Sequence, residues 1–194
     1  MSNQIIEFLS KTEQIPVEEI EILSGLATPL KLKKGDYLHE EGKIPKRGAF
    51  VLSGILREFY TDVKNTDYVR RFHFKNWWIV DMYELMCEKP ALCSVQAIQD
   101  TEVLTFTKKS LDVMMKNCPI ATKVLHEISS AEKYSLAKKE KEKRSLTAID
   151  NYKNLLRNNP ELDRRIPLFH IAAYLNIQPE SLSRIRKQIN KELF

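Results

Sequence analysis

Glycine disappears from this sequence after residue 54: the five are Gly25, Gly35, Gly42, Gly48 and Gly54. Turns that need a left-handed backbone are therefore concentrated in the first third of the chain. Cysteine is scarce as well. Cys87, Cys93 and Cys118 are an odd number without C-x-x-C spacing, which fits neither a disulfide framework nor a zinc or iron–sulfur cradle and leaves ordinary reduced thiols. No stretch approaches the roughly 18 uninterrupted apolar residues of a membrane span. The opening MSNQIIEFLSKTEQ has neither a basic leader region nor a long apolar one. A cytoplasmic protein without a membrane partner is the expectation. Catalytic constellations are missing too: His39, His73, His126 and His170 are scattered, and neither a nucleophile elbow nor a phosphate loop is present. No catalytic residue, no metal and no cofactor are expected, and the chain does not read as an enzyme.

What is present is an asymmetry of charge. Residues 1–132 carry 17 Lys and Arg against 19 Asp and Glu, a balance of −2, whereas residues 133–194 carry 14 against 7, a balance of +7. One end of the chain is thus suited to a polyanion and the other is not. The 194 residues suffice for one good core or two small ones.

Between about 30 and 107 the chain reads as short strands: around Lys31, around Tyr37-Leu38, Phe50-Leu52 closed by Ser53-Gly54, Ile55-Tyr60, Tyr68-Phe74, Val95-Ile98 and Val103-Thr107. Regular short strands indicate a closed or sandwiched antiparallel unit. Residues 3–10 and 16–24 read as short helices before it, the second with Pro16 in its first turn. From Ser110, expected as a helix cap, the period becomes helical, with Pro119 ending a first short helix. Residues 120–159 contain neither Gly nor Pro. Val124, Leu125, Ile128 and Ala131 form a narrow apolar stripe suited to a helix–helix seam between two copies of the chain. The polar KYSLAKKEKEKRS then predicts an exposed connector broken near Ser145, followed by a helix marked by Leu146, Ile149, Tyr152, Leu155 and Leu156.

The most informative segment is IPLFHIAAYLNIQPESLSRIRKQI, residues 166–189. Leu168, Ile171, Ala172 and Leu175 lie on one face of a short helix, Asn176 tolerates the left-handed exit, and Pro179 suits the first turn of a new helix. Leu182, Ile185 and Ile189 centre on one side of that second helix. At about 100° per residue, Glu180, Arg184 and Lys187 lie nearly opposite. A helix anchored on one face and cationic on the other is what a recognition helix requires. Arg pairs bidentately with guanine, Glu accepts from cytosine, and Lys and Ser hold phosphates. Gln178, Glu180, Ser181, Ser183, Arg184 and Lys187 are the expected contacts to double-stranded DNA. A plain helical hairpin with a solvated basic face is the blander alternative.

Two quoted stretches carry a family resemblance. LKKGDYLHEEGKIPKRGAFVLSGILREFY (32–60) resembles the Lys-Gly-Asp, Glu-Glu-Gly and Ser-Gly pattern of the Crp-Fnr family's sensor domain, and IAAYLNIQPESLSRIRK resembles its recognition motif, with Glu180 and Arg184 at the base-reading positions. The resemblance implies an α+β protein with a jelly-roll-like antiparallel β-roll over 1–117, a dimerisation helix over 118–144, and a helix-turn-helix domain over 145–194. It also implies a homodimeric transcription regulator, with RNA polymerase as a further partner. A cyclic-nucleotide-binding-like sensor acting on a protein partner is the alternative function.

Two departures qualify the resemblance. Members that bind cyclic AMP carry a Gly-Glu pair and, further on, an Arg followed by a small hydroxyl residue. Here WWIVDMYELMCEKPALCSVQ (77–96) lacks the Gly-Glu and has Ala91-Leu92-Cys93 in place of the Arg-Ser. Ile79-Val80-Asp81 would crowd and repel a phosphate, so cyclic AMP is not the expected ligand. Another small effector remains open, with Phe72, Phe74, Leu85, Leu92 and Cys93 as candidate lining. Trp77 and Trp78 are expected in the β-roll core. In addition, the five residues after Ile189 leave no room for a long β-hairpin wing.

Overall fold

In the segment RGAFVLS, alternation sends Phe50 and Leu52 to one side and Ala49 and Val51 to the other, yet all four are apolar. Such a strand needs cover on both faces. The computed structural model, which describes residues 2–11, 13–79, 82–158 and 160–192, supplies it. Helices α1 (Ser2–Leu9) and α2 (Val17–Leu26) precede strands β1 (Thr28–Leu32), β2 (Tyr37–His39), β3 (Arg47–Ser53), β4 (Leu56–Thr61), β5 (Asp67–His73) and β6 (Trp78–Ile79). Helix α3 (Met82–Met86) leads to β7 (Ser94–Ala97) and β8 (Thr101–Thr107), and helices α4 (Lys108–Asn117) and α5 (Pro119–Ser145) follow. The strands form two four-stranded sheets, ordered β1-β8-β3-β6 and β2-β7-β4-β5, whose assigned pairings are antiparallel.

The two faces of β3 enter two separate cores. Phe50 and Leu52, with Leu104, Phe106 and Trp78, pack under Ile5, Leu9, Leu23, Leu111, Met114, Ala121 and Val124 from the helices. Ala49 and Val51, with Leu32, Ile79 and Val103, meet Leu56, Val95 and Ala97 inside the roll. Trp78 lies 5.3 Å, centroid to centroid, from both Phe50 and Phe106, in the core as expected. Trp77 is half-buried, edge-on to His73 and Phe74.

The covering helices are joined to one another by polar contacts as well. Glu19 of α2 is buried, and its two carboxylate oxygens accept from the Ile120 and Ala121 N–H groups at 3.1 and 2.9 Å. It thereby caps the N-terminus of α5, where unpaired donors and the helix dipole favour an anion. The expected cap at Ser110 is corrected: Thr107 is the cap, its hydroxyl accepting from the Ser110 N–H, and Ser110 stands three residues inside α4. Val124, assigned to an intermolecular seam by its spacing, is fully buried in the chain's own core. Of the remaining stripe, Leu125 and Ile128 are half-buried and Ala131 is exposed. The stripe therefore serves the intrachain core first.

The chain divides into two compact units, Met1–Glu58 with Phe72–Glu132, and Phe59–Arg71 with Lys133–Phe194. Within the long helix the division falls between Glu132 and Lys133 of α5. The second unit contains α6 (Ala148–Asn158), α7 (Leu162–Arg165), α8 (Leu168–Leu175) and α9 (Pro179–Glu192). The expected break near Ser145 is present: α5 ends there and Thr147 restarts the chain, accepting from the Asp150 N–H at 3.2 Å while donating to its carboxylate. Val80, Asp81 and Asn159 lie outside the described residues, and so does the expectation that Val80 and Asp81 crowd a phosphate.

Gly54 turns the chain out of β3 at φ +92°, and a Cβ built there would lie 2.2 Å from Thr101 Oγ1 and 2.6 Å from its Cα. Backbone strain and overpacking then act together, so Gly54→Ala should cost about 2–4 kcal/mol. Around Gly25 no atom lies within 4 Å of such a Cβ, and Gly25→Ala should be neutral or stabilise by up to about 1 kcal/mol. Urea unfolding of the two variants checks this. A Gly54→Ala midpoint at the wild-type value contradicts the packing described.

Candidate nucleic-acid interface

The second unit presents a helix pair whose turn is fixed by one backbone conformation. Asn176 follows α8 at φ 56°, ψ 45°, the left-handed region that an Asn side chain tolerates. Its N–H returns to the Ala172 and Ala173 carbonyls, and the Ile177 N–H donates to Ala172 O at 3.1 Å. This pairing closes the helix end with its last carbonyls satisfied. Asn176, Ile177 and Gln178 complete the turn, and Pro179 opens α9, with Gln178 O accepting the Ser181 and Leu182 N–H groups.

Ala172 and Leu182 are buried where α8 and α9 pack, and α8 also packs on α6. On α9 the buried residues are Leu182, Ile185 and Ile189, the three expected anchors. Of the expected DNA contacts, Gln178, Glu180, Ser183, Arg184 and Lys187 are exposed and Ser181 is half-buried. The Ser183 hydroxyl donates to Pro179 O at 3.1 Å, so a phosphate contact from it requires that bond to be exchanged.

Sequence reasoning missed a polar knot behind this surface. Tyr152 of α6 is fully buried and its hydroxyl donates to Asp163 of α7 at 2.6 Å, while Asp163 holds Arg186 Nε of α9 at 3.2 Å. Burial, reinforced by the adjacent carboxylate, pushes the Tyr152 phenol well above its ordinary range. Tyr152 therefore remains a donor. The spacing of these residues carries no local signal, because the three meet only once the helices are packed.

In the first unit the expected effector lining is not brought to one wall. Phe72 and Cys93 are buried and Phe74 is half-buried, but Leu85 belongs to the core under the helices and Leu92 is 73% exposed. Leu85 and Leu92 are accordingly withdrawn from the proposed lining. What the roll buries instead is charge. His73 Nε2 lies 3.0 Å from Glu58 Oε2, and Arg57 Nε donates to Gln96 Oε1 at 2.9 Å. Glu84 of α3, also buried, accepts the Leu92 N–H at 2.9 Å, within the Ala91-Leu92-Cys93 stretch. Among the described residues no group of three or more His, Cys, Asp or Glu is arranged to hold a metal ion, and no helix is long and apolar enough to cross a membrane.

The left-handed exit gives a direct check. Glycine adopts it freely and a β-branched residue does not. Asn176→Gly should leave stability within about 0.5 kcal/mol of wild type, and Asn176→Val should lose about 1–2 kcal/mol. Thermal unfolding followed by circular dichroism distinguishes them, and equal behaviour of the two variants contradicts the turn geometry.

Residues 29–118 match the family described as cyclic nucleotide-binding domain. No curated protein sequence matches the chain. Among solved structures, FixK2 from Bradyrhizobium japonicum superposes with a TM-score of 0.73 at 19% identity, covering 86% of this chain and 85% of that one. A protein from Eubacterium rectale described as a transcriptional regulator of the crp/fnr family gives 0.72 at 13%, covering 96% and 88%. The c-di-GMP-responsive global regulator CLP of Xanthomonas campestris gives 0.70 at 13%, covering 91% and 93%. Likenesses at such identities establish the fold, and they span both units. Residues 29–118 thus resemble a cyclic nucleotide-binding domain, and the chain that carries them has the fold of the Crp/Fnr transcriptional regulators.

Proposed function

We propose that this chain is a sequence-specific DNA-binding transcription regulator that reads duplex DNA with α9 as a homodimer. The observation that carries the reading is the orientation of α9. Leu182, Ile185 and Ile189 are buried, and Glu180, Arg184 and Lys187 stand exposed on the opposite side, on a helix fixed by the Asn176 turn. A helix so anchored inserts its first turns into the major groove. Arg184 donates to guanine O6 and N7, Glu180 accepts from a cytosine amino group, and Lys187 with Gln178, Ser181 and Ser183 holds the phosphates. The +7 balance of residues 133–194 favours the same polyanion. One helix-turn-helix reads too few base pairs for useful specificity, so two copies joined along α5 at Leu125, Ile128 and Ala131 present paired recognition helices about 34 Å apart. The name of the Eubacterium rectale structure points to the same class of function.

Arg184→Ala should cost about 1–3 kcal/mol at a selected operator and relax preference at one position per half-site. Lys187→Ala should weaken all duplexes evenly, because phosphates carry no direct base code. Fluorescence anisotropy with operator and scrambled duplexes measures both. An Arg184→Ala variant with unchanged affinity and preference overturns the assignment of α9. If binding to duplex does not fall as salt rises, the reading in which the sensor acts on a protein partner takes precedence.

The β-roll, in this reading, does not hold cyclic AMP. A cyclic phosphate in an enclosed pocket needs a paired cation and N–H donors, and burying it without them costs several kcal/mol. Ala91, Leu92 and Cys93 provide no cation, and the Leu92 N–H already donates to the buried Glu84 carboxylate. That carboxylate thus already occupies an N–H donor that an added phosphate would need. Calorimetric titration should give no saturable heat with cyclic AMP, and micromolar or tighter binding contradicts this.

A further inference from the structure

We propose that Asp163 limits the backbone affinity of the helix-turn-helix: it holds Arg186 back from the DNA phosphates, so that α9 meets a duplex with Arg184 and Lys187 but without Arg186. The inference rests on the DNA-binding reading above and concerns how strongly that surface holds the DNA backbone.

Three cations fall within residues 184–187 of α9, and they differ in environment. Arg184 and Lys187 are exposed, whereas Arg186 is half-buried. At about 100° per residue Arg186 stands roughly 70° from the centre of the face formed by Leu182, Ile185 and Ile189, on the flank of the helix. A flanking cation on a helix seated in a groove faces the phosphate ridge, where a contact strengthens every sequence alike and adds to the salt dependence. In this chain the flank is occupied differently. Arg186 Nε lies 3.2 Å from Asp163 Oδ2, with side-chain exposures of 35% and 22%, so the pair is partly shielded from water. Asp163 cannot follow Arg186 outward, because the Tyr152 hydroxyl donates to it at 2.6 Å from a ring buried in the unit. The carboxylate is therefore held from α6 and the guanidinium from α7. Removing a uniform phosphate contact lowers the affinity for all duplexes by the same factor and flattens the salt dependence, while the base contacts and the ratio of specific to non-specific binding stay as they are.

The test uses the full chain, a duplex selected by wild-type protein from a random-sequence pool, and a scrambled duplex of equal length, each titrated across a range of salt. Asp163→Asn preserves shape and removes the charge. It should bind both duplexes roughly tenfold more tightly at low salt, with the slope of log affinity against log salt steeper by about one and the ratio of specific to non-specific binding unchanged. Adding Arg186→Gln to that variant should restore the wild-type slope. Arg186→Gln alone should leave the slope unchanged, which keeps the proposal decidable even where Asp163→Asn fails to fold. A merely structural role for Asp163 predicts weaker binding to both duplexes at an unchanged slope. A folded Asp163→Asn with the wild-type slope, or an Arg186→Gln that lowers the slope in the wild-type background, overturns this proposal alone. A wild-type protein that selects no duplex overturns the DNA-binding reading and this proposal with it.

Discussion

Strand β3 is apolar on both faces, and that constraint organises the first unit. Because Phe50 and Leu52 face one way and Ala49 and Val51 the other, the sheet containing β3 must be covered twice, by the second sheet inside the roll and by α1, α2, α4 and α5 outside it. The outer cover recruits the first turns of α5 into the core through Ala121 and Val124, and Glu19 caps that helix end from α2. The long helix thus leaves the roll with its start immobilised by burial and by two hydrogen bonds.

The second unit depends on a smaller device. Ala172 lets α8 and α9 approach, the left-handed Asn176 sets the turn, and the three buried side chains of α9 leave Glu180, Arg184 and Lys187 outward. The polar knot of Tyr152, Asp163 and Arg186 stands behind that face and ties α9 to α6 through α7. Packing therefore selects which cations are displayed and which are withheld, a distinction that net charge does not reveal.

How much of this was legible follows from the range of each interaction. The strands, the break near Ser145 and the helix-turn-helix are local: period, a capping hydroxyl, a left-handed Asn and a Pro at a helix start act within a few residues, and each left a readable mark. The two-residue strand β6 had none, since Trp77 and Trp78 interrupt alternation and pair with β3 only through tertiary structure. Thr107 was passed over for Ser110 because both hydroxyls precede the same helix and only the backbone geometry separates them. Val124 shares the spacing of a seam residue with Ile128, and spacing cannot say which core claims it. Glu84, Asp163 and Arg186 look like ordinary surface charges in sequence. Their roles come from a backbone N–H eight residues away in one case and a helix 23 positions along in the other.

The central claim is that two copies of α9 read DNA by sequence. Selection from a pool of random duplexes with the purified full chain, followed by footprinting of the enriched sequences, tests it most directly. The account predicts an inverted repeat whose half-sites are centred about 10 base pairs apart, protected on one face of the duplex. Recovery of no shared sequence, or of a single unrepeated site bound by one copy of the chain, would contradict it.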